Sequence, residues 1–114
     1  MGNLTGDDRI TVARIAGVSS RRAGQALTGR STDAEAVAEL AEVSGGRADL
    51  LAEHAGLILG TSESGLAMQV EIGRERARLC VLAGADPGEL APWVEVGRRR
   101  TSQARHPPFS GQRG

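Results

Sequence analysis

Between Val12 and Val96 the apolar residues return at three- and four-residue spacing, and Val, Ile, Thr and the aromatics form no alternating runs. That period belongs to helices with one buried stripe, not to strands. The stripes are Val12, Ile15 and Ala16; Ala23, Ala26 and Leu27; Val37, Leu40 and Ala41; Leu50, Leu51, Ala55 and Ile58; Leu66, Val70, Ala77, Cys80 and Val81; and Trp93 with Val96. They predict an all-α fold of five to six helices. Trp93 and Phe109 are the only aromatics, so the core must be made of small aliphatic side chains that each bury little area. One copy then gains modest stability, and a homodimer is expected, mediated by the long helix after Glu63 or by the helix that carries Trp93.

Charge is distributed unevenly. All 14 cationic side chains are arginines, and 14 acids balance them. Residues 9–30 carry five arginines and no acid, residues 31–96 carry four arginines and 12 acids, and residues 97–114 carry five arginines and no acid. Two basic ends flank an acidic middle, a pattern that suits an anionic partner at the ends.

The basic stretch Ile10–Arg30 gives the strongest functional signal. It reads as a short helix, a turn at Ala16-Gly17-Val18, and a second helix starting at Ser19, which would cap it. Gly17 would supply the positive φ of the turn. This is the layout of a helix-turn-helix, whose second helix enters the major groove of double-stranded DNA. The outer face of that helix offers Ser20, Arg21, Arg22 and Gln25.

The stretch resembles the DNA-binding headpiece of LacI-type repressors through Val12-Ala13-Arg14, Ala16-Gly17-Val18-Ser19, Leu27 and Gly29-Arg30, in register without gaps. Arg22-Ala23-Gly24 stand where that family usually has a Thr-Val-Ser run, and the chain is too short for the family's sugar-binding domain. The resemblance implies that Ser20, Arg21 and Gln25 face base edges and that Ser19 and Arg22 contact phosphate. Arg30 completes the expected DNA-binding set.

Further along, Thr32 and Glu35 fit a capping box that opens a helix closed by Ser44-Gly45-Gly46. A helix follows from about Arg47 to Leu59, a turn at 60–65, and a long helix from about Glu63 to Ala83, in which Gly73 suggests a close neighbour. Asp86 and Pro87 suit a new helix start, with Pro92 in the first turn of the helix that carries Trp93. The expected organisation is a helix-turn-helix head over 1–46, a packing or dimerisation region over 47–103, and a disordered basic tail over 104–114.

His54 has no second His, Cys or acid at metal-ligand spacing, and Cys80 has no neighbour that would lower its pKa. Neither a metal nor another cofactor is expected, and no nucleophile, base and orienting group assemble into an enzyme site. With one cysteine, no long apolar run and no leader pattern, a cytoplasmic protein without membrane contact is expected. The functional expectation is a small sequence-specific transcriptional regulator. The alternative is a non-enzymatic helical interaction or adaptor protein, antitoxin-like or a mobile-element accessory.

Overall fold

The computed structural model describes residues 4–105, with the side chains of 104 and 105 left aside. Five α-helices and one 3₁₀ turn follow in order: α1 (Gly6–Leu27), α2 (Asp33–Ser44), α3 (Ala48–Ser62), α4 (Ala67–Leu82), the 3₁₀ turn Pro87–Glu89, and α5 (Leu90–Arg105). The described residues contain no strand, as the spacing predicts.

The first 22-residue helix corrects the expected head. Residues 16–18 lie inside α1, and Gly17 takes no positive φ. Three physical terms keep the helix whole. Thr5 and Asp8 form a reciprocal capping box at its start. Ile15, Ser19 and Ala23, spaced by four, are buried on one stripe, and that stripe exists only if the helix is unbroken. Gly17 and Gly24 each cost about 1 kcal/mol relative to alanine, whereas burying one isoleucine recovers about 1.5–3 kcal/mol. A break would also strand backbone donors and acceptors at two new helix ends. The glycine that does turn the chain is Gly29, at φ 74°, one residue beyond the Thr28 cap of α1.

Helix α2 opens on the expected Thr32–Glu35 capping box and closes on left-handed Gly45. It packs antiparallel to α1 as a two-helix hairpin, so residues 7–43 hold two helices rather than three. The boundary expected near residue 46 falls within one shared core. Ile15 and Ala23 of α1, Ala36 and Leu40 of α2, Leu50, Leu51 and Ala55 of α3, and Ala77, Leu79 and Cys80 of α4 form a single buried cluster.

The third helix is the centre of the fold and runs to Ser62, past the turn expected at residue 60. Gly60 is a contact point instead. A Cβ there would lie 2.2 Å from the Val94 carbonyl oxygen, and one on Gly56 would lie 2.4 Å from Trp93 Cβ. The two glycines sit one turn apart and let α5 lie backbone-to-backbone on α3, with Gly97 closing the contact from the other side. Gly73 of α4 is likewise filled by Ser62 and Ile58 of α3, the close neighbour expected for it. The long helix starts at Ala67 rather than Glu63, because residues 63–66 form the turn displaced from 60–65.

Asp86 caps the 3₁₀ turn by accepting from Gly88 N, and Pro92 sits in the first turn of α5, where its missing N–H costs nothing. The backbone of α5 continues to Arg105, beyond the point near Gln103 where the tail was expected to begin; the remainder of the expected tail lies outside the described residues. No described helix is long and apolar enough to cross a membrane.

Candidate functional site

The expected DNA-reading residues do not form one exposed face. Ser19 is fully buried. Its hydroxyl lies 2.7 Å from His54 Nε2, and Arg76 Nε donates to it at 3.0 Å. Arg76 Nη2 also donates to the Ala16 carbonyl at 3.3 Å. Burial, with the Arg76 charge beside it, lowers the His54 pKa to about 3, so the imidazole is neutral. The Ser19 oxygen accepts from Arg76, and its hydroxyl lies within hydrogen-bond distance of both His54 Nε2 and the Ala16 carbonyl, at 3.2 Å from the latter. A phosphate-contacting Ser19 is therefore corrected: continuity of α1 turns it inward, into a polar joint between α1, α3 and α4.

This joint pairs a hydroxyl with an imidazole at the distance of a nucleophile and its base. No substrate reaches it, because Ser19 and His54 are both buried. Its chemistry is structural: three helices share a hydrogen-bonded polar contact inside an aliphatic core. His54 lies within a helix interface, 3% exposed.

Arg21 and Arg22 both pair with Glu39 of α2, Arg22 Nε at 2.6 Å. Hydrogen bonds from Arg22 and then Arg21 hold the Glu39 carboxyl below its ordinary pKa. Arg22 Nη1 donates to Ser31 Oγ at 3.0 Å and reaches Gln25 Oε1 at 3.5 Å. Arg21 and Gln25, expected to face base edges, and Arg22, expected to contact phosphate, are thus not unopposed: α2 brings a carboxylate onto the two arginines, and Gln25 is half-buried beside them. Ser20 and Arg30 are exposed, and among the described residues neither side chain makes a hydrogen bond.

Other arginines are tied down in the same way. Arg78 pairs with Asp33 at 2.8 Å and with Glu75, and Arg98 pairs with Glu63 at 2.7 Å. Arg98, one of the five arginines of the basic C-terminal end, links α5 to the end of α3. Cys80 is fully buried and its thiol is pushed up to about 12 by desolvation, which removes it as a nucleophile near neutral pH. Among the described residues no group of three acids, histidines or cysteines is placed to hold a metal.

Two surface features were not anticipated. One is an apolar corner where α3 turns into α4. Leu66 is 75% exposed and Met68 70%, and Ala67 between them lines a groove with Val70 and with Leu27 of α1, itself 43% exposed. The other is a pocket of about 370 Å³ between the starts of α1, α3 and α5. Glu53 lines it, 6% exposed, together with Trp93 and Pro92. Leu66 was legible as helical stripe but not as surface, because the stripe was assumed to face a neighbour along its whole length. The pocket joins residues some 40 positions apart in sequence, a juxtaposition that no local spacing encodes. Compared with known protein families, curated proteins and solved structures, the chain matches none at a significant level.

Proposed function

We propose that this chain is a non-enzymatic helical interaction module that docks through the corner formed by Leu66 and Met68. One observation carries the reading: the two large apolar side chains on either side of Ala67 are each at least 70% exposed, and Ala67 itself lines a groove with the exposed Leu27. Scattered single apolar residues are ordinary on a surface, whereas a contiguous group rimmed by charge marks a contact site. Glu71, Arg74, Glu75 and Arg78, with both signs interleaved, rim the adjacent groove that Leu27, Ala67 and Val70 line. An alternating rim is self-complementary, which favours a second copy of the chain as partner, through an isologous contact. The corner lies at the start of the long helix, where dimerisation was expected. Sedimentation velocity tests the reading. Wild type should sediment as a dimer at about 50 µM, within the range of weak specific association, and the Leu66→Glu/Met68→Glu double variant as a monomer with an unchanged circular dichroism spectrum. A wild-type monomer at that concentration contradicts it.

A second reading, a small DNA-binding transcriptional regulator, is favoured by one observation. The outer face of α1 carries exposed Arg9, Arg14 and Ser20, and no acid occurs between residues 9 and 30. On this reading the whole outer face of α1, together with Arg30, lies along duplex DNA, and affinity falls steeply with salt. Arg14→Ala with Arg30→Ala should reduce duplex binding at low salt in a fluorescence anisotropy titration. Equal binding by wild type and variant removes this reading.

A further inference from the structure

Glu53 is nine-tenths buried and has no hydrogen bond or ion pair among the described residues. Burial raises its pKa, and Arg100 and Arg9 act on it only at range. A desolvated carboxylate without a counter-ion is costly, so a cation that reaches it gains what the fold leaves unsatisfied. Glu53 lines the pocket of about 370 Å³ between the starts of α1, α3 and α5.

The rest of the lining defines which cation fits. Arg47 is the only basic residue there, and its donors are already committed: Nε and Nη2 donate to Asp49 at 3.0 Å, and Nη1 donates to Asp8 at 3.1 Å. Two carboxylates against one guanidinium leave that group net negative, and Glu53 and Glu89 add to it. The rest of the lining includes an apolar surface, with Trp93 and Pro92 facing the cavity. A divalent metal is a poor match, because hard cations require several converging oxygens and no such group of three occurs among the described residues. An ammonium carried on a short hydrocarbon chain matches both kinds of lining. Its charged head donates to the Glu53 carboxylate, its methylenes lie on Trp93 and Pro92, and the indole face attracts the cation.

We infer that this pocket binds a small aliphatic amine in its ammonium form, with Glu53 as the counter-ion and Trp93 and Pro92 covering the hydrocarbon chain. The site is separate from the Leu66–Met68 corner and does not depend on it.

Trp93 is the sole tryptophan, and the chain has no tyrosine, so its emission reports on the pocket directly. The full chain is titrated at constant ionic strength with 1,4-diaminobutane and n-butylamine. The controls are n-butanol, sodium chloride and Nα-acetyl-lysine methylamide. Both free amines should give a saturable change in Trp93 emission below about 10 mM, and n-butanol and sodium chloride should give none. Glu53→Gln, which keeps the volume and removes the charge, should weaken amine binding at least about tenfold while its circular dichroism spectrum and urea midpoint show it folded. Should that variant fail to fold, amide shift mapping on the wild type decides: amine-induced shifts should centre on Glu53 and Trp93. No saturable change, an equal response to n-butanol, undiminished binding by folded Glu53→Gln, shifts centred elsewhere, or a response to the blocked lysine alone would each overturn the inference.

Discussion

Acid should loosen this fold well before the surface carboxylates titrate, and His54 sets the size of the effect. The unfolded imidazole has an ordinary value of 6.5, and burial between α1, α3 and α4 lowers the folded one to about 3. Because the folded pKa is the lower, the unfolded chain binds the proton first. The His54 contribution is therefore complete above pH 6.5 and is lost progressively as pH falls towards 3. Between pH 7.5 and 5.5 the linkage amounts to about 1.4 kcal/mol. Glu53 acts in the opposite direction, since its raised pKa lets the folded state take up a proton more easily. A comparison of two proteins cancels that term. Urea unfolding followed by circular dichroism at pH 7.5, 6.5 and 5.5 should show wild type losing about 1.4 kcal/mol more than His54→Gln, whose amide can still hydrogen-bond the Ser19 hydroxyl. Parallel pH dependence in the two proteins would refute the neutral buried imidazole.

Ser19→Ala leaves His54 Nε2 without its hydrogen-bond partner and Arg76 Nε without its acceptor, and should lower stability by about 1–3 kcal/mol in urea denaturation; a Ser19 that served DNA phosphate would leave stability unchanged. Gly60→Ala places a methyl 2.2 Å from the Val94 carbonyl oxygen and should force α5 away from α3, costing about 1–3 kcal/mol or more, read as a lowered thermal midpoint with a shift in Trp93 emission.

Local signals in the sequence translated well. Thr32 and Glu35 are three apart and cap α2 without help from the rest of the chain, and Asp86-Pro87 opens the segment that leads into α5. Gly73 lies on an apolar stripe, and a missing side chain there leaves room for a neighbour. Residues with two physical uses were misjudged. Glycine both turns a chain and permits close packing: Gly17 does neither, sitting on the open side of α1, whereas Gly60, placed in a turn by its Thr-Ser-rich surroundings, is a packing contact. Serine favours helix caps, yet Ser19 stands four residues from both Ile15 and Ala23, and that spacing decides its direction. The arginines of α1 looked unopposed because the opposing Glu39 comes from the next helix. The Glu53 pocket is built by three segments that meet only in the folded chain.

The most direct test of the account is the stability of Gly17→Ala. In an uninterrupted α1, a Cβ at this position meets nothing within 4 Å and the backbone is helical without positive φ. Alanine should then stabilise the protein by about 0.5–1 kcal/mol in urea unfolding, by removing the helix penalty of glycine. If residue 17 instead turns the chain between two short helices with positive φ, the same substitution strains the backbone. A loss of stability would contradict the continuous helix, and with it the buried position of Ser19.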